Sequence, residues 1–187
     1  MAATTPTYVI LLSSRLNPTL SGADVFFRTL LIGLVVVEVY ADGGQWEYHE
    51  AKHQYQKSAK VPEGYTRAQL DRGFNTTGLF KYSRHPNFAA EQAIWLMLYQ
   101  WACWNSMTFL NWTVIGAIAY LGVFAGSTPL TERISKSKYP EYGLYQERVG
   151  KFVPKLFGKG WDEAEIEKIA PKYVEKVKAK EAAKKKG

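Results

Sequence analysis

Apolar residues in this chain gather in three stretches separated by charge-bearing sequence. The first runs from about residue 23 to 41 and holds Leu30, Leu31, Ile32, Leu34, Val35, Val36 and Val37. It is close to the ~20 residues that a bilayer core requires. The second runs from about 88 to 104 and the third from about 110 to 126. Only Asn105–Asn111 lies between these two, which is short enough to close a helical hairpin. From Gln92 to Thr131 there is no Asp, Glu, Lys, Arg or His. A soluble protein would need a large shell to cover such a hairpin, and the remaining residues are too few to build one. The pattern predicts an all-α fold: a polytopic membrane helical bundle of about three transmembrane helices with cytosolic interfacial helices.

Charge sets the expected orientation. Lys52, Lys57, Lys60, Arg67, Arg72, Lys81 and Arg84 fall in the long loop between the first two stretches, and the tail after Thr131 is richer still in lysine. The hairpin tip and the N-terminal segment together offer only Arg15. Basic flanks stay cytoplasmic, so the loop and the C-terminus are expected in the cytosol. Thr7–Leu12 is too short for a signal-peptide core, lacks a basic start and is soon followed by Arg15 and Pro18. It reads as the end of an earlier transmembrane helix.

At 187 residues the chain has the size of one ordinary domain. Its net charge of +7 suits anionic lipid or nucleotide. The basic residues stand beside apolar stretches and form no reading motif, so a nucleic-acid partner is not expected. Cys103 is the only cysteine, which excludes an intrachain disulfide and a cysteine metal cluster. His49 and His53 share a helical face but lack a third ligand, so no metal site is expected.

Candidate chemistry concentrates in Gly78–Glu91. Arg84 and His85 offer donors, Pro86 starts the next helix, and Asn87 and Glu91 then lie four apart on one face. A cationic segment entering apolar sequence fits a membrane-embedded site for an anionic cofactor. Anchoring of a helix end to lipid headgroups explains the same residues equally well. Glu38 and Asp42 share a face near the end of the first stretch, where an ionisable group needs a cavity, a partner or the interface. Tyr139, Tyr142 and Tyr145 recur every three residues, as one side of a helix or an interfacial belt would require. Beyond Trp161, Ile166, Ile169, Tyr173, Val174 and Val177 follow helical spacing among lysines and glutamates, which predicts an amphipathic helix. Lys184-Lys185-Lys186-Gly187 is similar to a dilysine retrieval signal.

Three blocks together resemble the steroid 5-alpha-reductase-like membrane proteins, a superfamily that includes the sterol C14 reductases and, more distantly, the isoprenylcysteine methyltransferases. They are Gly78-Leu-Phe-Lys-Tyr-Ser-Arg-His-Pro-Asn-Phe with Glu91; Glu38-Val-Tyr-Ala-Asp-Gly-Gly-Gln-Trp-Glu-Tyr48; and Pro129-Leu-Thr-Glu-Arg133 continuing through Tyr139, Tyr142, Tyr145, Val153 and Pro154. The resemblance covers roughly residues 6 to 157. It implies a reductase-like membrane domain over 1–157, corresponding to the C-terminal portion of the family, and a lysine-rich cytosolic tail over 158–187. Hydride transfer from NADPH to a carbon–carbon double bond of a steroid or other lipid is the implied activity. Its implied cofactor-binding residues are Asp42, Gln45, Arg84, His85, Asn87, Glu91, Glu132, Tyr142 and Tyr145. Gly43-Gly44 replaces bulkier residues common in the family and is expected to loosen the helix. Groups that polarise the substrate lie on upstream helices in the family, so no catalytic acid is assigned. The implied setting is the endoplasmic-reticulum membrane, with a second chain as one possible source of the upstream helices. Two alternatives stay open: an S-adenosylmethionine-dependent membrane methyltransferase, whose families share Arg-His-Pro, and a non-catalytic membrane partner.

Overall fold

The computed structural model describes residues 5–16, 19–155, 158 and 160–186, with side chains as far as residue 179. Pro18, the side chains of Lys184, Lys185 and Lys186, and Gly187 lie outside the described residues, so the retrieval signal does too. The described residues form α1 (Thr5–Leu16), α2 (Gly22–Ser58), α3 (Arg67–Arg72), a 3-10 turn (Gly78–Lys81), α4 (Pro86–Asn105), α5 (Val114–Lys138), α6 (Tyr142–Arg148) and α7 (Glu163–Lys186). No strand forms among them; Ser83 and Gly150 make an isolated parallel bridge.

The three apolar stretches are the cores of α2, α4 and α5, yet each helix departs from its expected bounds. α2 continues through Gly43-Gly44 to Ser58, so the glycines do not end it. α5 runs past Gly126 and through Pro129 to Lys138, which carries Glu132 onto the same helix as the apolar run. Among the described residues α5 alone is long and apolar enough to cross a membrane, and only 17% of its apolar window is buried within the protein. α2 does not qualify, because Asp24, Arg28, Glu38 and Asp42 interrupt its apolar half. α4 owes its bulk to Trp95, Tyr99, Trp101 and Trp104, which are less apolar than aliphatic residues. The expected trio of spans is therefore reduced, on composition, to one.

The fold divides into two compact units: Met1–Tyr40 with Asn87–Pro129, and Ala41–Pro86 with Leu130–Gly187. Residues 158–187, expected as a separate tail, belong to the second unit. In the first unit Ile10, Phe27, Trp101 and Ala102 form the core, with Phe27 stacked on Trp101 at 6.0 Å. Large apolar side chains remain outside it, among them Ile32, Val36, Phe109 and Ile118.

Phe74 is the centre of the second unit. Its ring lies 5.1 Å from Tyr142 and 5.2 Å from Tyr145, and Trp161 meets Tyr145 edge-on at 5.3 Å. Trp161 and Ile166 are almost wholly buried in this cluster, so the start of the tail is core. Arg72, at the end of α3, holds that arrangement closed. Its guanidinium pairs in bidentate fashion with Glu163 at 2.8 Å, donates to Glu141 at 3.0 Å and stacks 5.0 Å from Trp161. Burial opposes its charge, but Glu163 and then Glu141 hold its pKa above the usual value. α3 stops at Gly73, whose φ of 87° is the left-handed conformation that favours glycine. Tyr139 packs where a Cβ of Gly73 would sit, and Lys52 donates to both the Gly73 carbonyl at 2.8 Å and the Tyr139 hydroxyl at 3.0 Å. Close approach also explains Gly143, because the Tyr173 hydroxyl of α7 would lie 2.3 Å from its Cβ. Trp161→Ala should lower the stability of this unit by about 3–5 kcal/mol. Cooperative unfolding in detergent, followed by Tyr and Trp absorbance, should show the drop.

Candidate functional site

The segment after the 3-10 turn is fixed before any side chain chemistry is considered. The backbone N–H of Arg84 donates to Gly150 at 2.9 Å and that of His85 to Lys151 at 3.0 Å. Ser83 Oγ donates to the Phe152 carbonyl at 2.8 Å. Tyr145 donates its hydroxyl to the Phe80 carbonyl at 2.6 Å, and Trp161 N–H donates to Lys81 at 2.9 Å. The Arg-His pair thus sits on a short parallel run of backbone, held from α6 and from the start of the tail.

Glu132 then draws the two side chains together. Its Oε1 accepts from Arg84 Nε at 2.7 Å and from His85 Nε2 at 3.0 Å, and its Oε2 accepts from Gln146 Nε2 at 3.0 Å. Arg84 Nη1 also donates to the carbonyls of Val149 and Gln146. All three charged or titratable side chains are nearly buried, at 8% exposure for Arg84 and 10% for each of the others. A buried carboxylate with a guanidinium and two further donors is well compensated, whereas any one member alone would be costly. Arg84 Nη2 takes part in none of these hydrogen bonds.

Burial pushes the His85 pKa below its usual value; Glu132 works in the opposite direction, while Arg84 and Lys151 add to the depression. The neutral ring must carry its proton on Nε2 to donate to an ionised Glu132, an assignment made from the hydrogen-bond pattern. Tyr142 is pushed up to about 12, first by burial and then by the Glu132 charge. Burial holds Tyr145 well above its ordinary value. Both phenols are therefore neutral hydrogen-bonding groups, and Tyr145 is already engaged with the 3-10 turn.

The remaining expected residues fall in two places. Asp42 and Gln45 lie on α2 in the second unit, Asp42 exposed and Gln45 partly buried. Gln45 Nε2 lies 3.0 Å from His49 Nε2, while Gln45 Oε1 is buried with no hydrogen-bond partner. Turning the amide over exchanges the two roles and still leaves one half of it unsatisfied. Asn87 and Glu91 belong to the first unit, on α4. Glu91 accepts from Trp95 Nε1 at 2.9 Å and is hydrogen-bonded to Tyr120 and Glu38. Tyr139, Tyr142 and Tyr145 do not line one helix, because Pro140 interrupts it: Tyr139 follows α5 and the other two belong to α6. Among the described residues no group of three or more His, Cys, Asp or Glu could hold a metal ion. Sequence reasoning missed Gln146 and the Arg72–Glu163 pair. Gln146 directly follows Tyr145, and Trp161 in an otherwise charged tail was the one signal of docking.

A profile of the family described as "Protein of unknown function (DUF1295)" matches residues 1–149. The chain belongs to the DUF1295 family. This family lies in the steroid 5-alpha-reductase-like group, in agreement with the resemblance of the three sequence blocks. An uncharacterised protein of the fission yeast Schizosaccharomyces pombe is 46% identical over 160 residues, 84% of this chain. The match covers 46% of that relative, so this DUF1295 chain spans a little under half of its length. No solved structure matches. The family match takes in Glu132, Arg84, His85 and Gln146 but stops before Trp161 and Glu163, which complete the packing behind them.

His85 makes the site sensitive to acid in a stated direction. Its folded pKa lies below the unfolded value of 6.5, so the unfolded chain binds a proton first as pH falls. Stability from this group is full above about 6.5 and declines as pH drops through it toward the folded pKa, by at most roughly 1.4 kcal/mol per pH unit. Unfolding midpoints of wild type and His85→Gln, compared between pH 7.5 and 5.5, should differ by an amount that changes with pH at the acid end and becomes constant at the upper end.

Proposed function

We propose that this chain forms the cofactor-holding part of an NADPH-dependent membrane reductase acting on a carbon–carbon double bond of a steroid or other lipid. The observation that carries this reading is the convergence of Glu132 from the Pro129–Arg133 block on Arg84 and His85 from the Gly78–Phe88 block. Gln45 from the Glu38–Tyr48 block adds a buried amide half without a partner in the same unit. A ribose hydroxyl or carboxamide would satisfy that group, whereas an apolar ligand would not.

NADPH, when bound, supplies a hydride to an electron-poor double bond. The residues of this chain bind and orient. Glu132 fixes Arg84 and His85, leaving Arg84 Nη2 for a phosphate or carboxamide oxygen. Gln45 and Asp42 offer an amide and a carboxylate from α2; Asn87 and Glu91, on α4 in the first unit, are carried over from the family resemblance alone. Tyr142 and Tyr145 act from beneath, by packing and by holding the 3-10 turn, rather than as direct ligands. None of these residues is assigned as the acid that polarises the substrate. In this reading α2, α4 and α5 are membrane helices of a polytopic protein of the endoplasmic reticulum with a cytosolic C-terminus. The uncharged Gln92–Thr131 segment and the exposed apolar side chains of the first unit support it. Turnover requires further helices, of the kind the rest of the fission-yeast relative has length to encode.

Isothermal titration of the chain in detergent should show tighter binding of NADPH than of S-adenosylmethionine. The reverse order would favour the methyltransferase alternative. Gln45→Ala should weaken NADPH about 3–10-fold, the value of one neutral hydrogen bond. An unchanged affinity would remove Gln45 from the site.

A further inference from the structure

The first unit holds a second polar site that the cofactor reading does not use. Where α1 ends, α2 begins and α4 ends, a half-open cavity of about 490 Å³ is bounded mainly by polar side chains. Pockets of this size lie within the ordinary range for small-ligand sites. Ser13, Thr19, Arg28 and Asn105 line it, and none of them makes a side-chain hydrogen bond among the described residues. Arg28 is the cation of the group. Its guanidinium lies 5.7 Å from the centre of the Trp101 ring and makes no ion pair within 4 Å among the described residues, although its charge acts on Asp24.

The anion of the cavity is engaged differently. Asp24 accepts from the Ser21 backbone N–H at 2.9 Å, from the Ser21 hydroxyl at 2.7 Å and from Trp101 Nε1 at 2.9 Å. These bonds fix the carboxylate against the start of α2 without neutralising it. One fixed positive and one fixed negative charge therefore face a cavity whose other polar groups are donors or hydroxyls. A multiply anionic ligand would meet the Asp24 carboxylate, and a purely cationic one would meet Arg28. A ligand carrying both charges suits both.

At the cavity mouth Trp104 is 58% exposed, Leu20 66% and Met107 88%. An apolar rim around a polar floor fits an amphiphile whose headgroup enters and whose chains stay outside. We propose that this cavity binds the headgroup of a zwitterionic phospholipid. Arg28, Ser13, Thr19 and Asn105 take the phosphate and Asp24 the ammonium. The site lies at the ends of α2 and α4 farthest along each helix from Ala41 and Pro86, and it does not depend on the NADPH reading.

Native mass spectrometry of the 187-residue chain in detergent tests this with three probes. They are phosphatidylethanolamine, phosphatidylglycerol with the same acyl chains, and soluble phosphoethanolamine. The chain should retain phosphatidylethanolamine in preference to phosphatidylglycerol, and Arg28→Gln should reduce that retention about tenfold or more, as loss of a charge-assisted hydrogen bond implies. Arg133→Gln, an exposed arginine outside the cavity, should leave it unchanged. If Arg28→Gln loses helicity by circular dichroism, the paired changes Thr19→Val and Asn105→Ala serve instead, with an expected loss of about threefold or more. Equal retention of the two lipids, or retention unaffected by these changes, would overturn the proposal. Displacement by soluble phosphoethanolamine at equal concentration would overturn the lipid assignment.

Discussion

A single carboxylate organises the second unit. Glu132 is nearly buried, and its two oxygens together accept from Arg84, His85 and Gln146. The network joins three local structures: the strand-like run after the 3-10 turn with Arg84 and His85, α6 with Gln146, and α5 with Glu132 itself. A buried carboxylate is tolerated only while its partners stay in place, so this network couples three segments that are distant in sequence. It also explains why α5 must extend past Pro129. Stopping at the end of the apolar stretch would leave Glu132 outside the helix that aims it.

Behind this network stands an aromatic core. Phe74, Tyr142, Tyr145 and Trp161 pack together, edge to face in every pair but the tilted Phe74–Tyr145, and Arg72 closes the far side through Glu163 and Glu141. Tyr145 links the two layers by bonding the carbonyl of Phe80, at the base of the segment that bears Arg84. Substitutions in the tail can therefore reach the candidate site without touching any ligand. Trp161 and Glu163 lie beyond the matched part of the DUF1295 family, although Trp161 is part of the unit's core and Glu163 pairs with Arg72 beside it.

The sequence was most legible where one physical signal dominated. Long uncharged runs located the cores of α2, α4 and α5, and the spacing of Ile166, Ile169 and Tyr173 located α7. Signals that depend on tertiary context were misread. Gly43-Gly44 looked like a weak point, but two helix-interior glycines cost about 1 kcal/mol each, and a long continuous helix absorbs that. The three tyrosines suggested one helical face, whereas Pro140 divides them between α5's end and α6. Arg84 was expected among the cofactor-binding residues, and no local pattern reveals that a glutamate 48 residues away engages its Nε at 2.7 Å. The motif residues could be picked out locally, but which of them hold the others in place required their partners.

The central claim is that Glu132 holds the Arg84–His85 segment in place. Hydrogen–deuterium exchange on the Glu132→Gln variant tests it most directly, because the substitution keeps the shape and removes the charge. Backbone amides of Arg84 and His85 should exchange about tenfold faster or more, in line with the loss of charge-assisted bonds, while amides near Ile166 in α7 keep their protection. Unchanged protection at Arg84 and His85 would contradict the account and place the organising constraint in the backbone bridge to Gly150 and Lys151 instead.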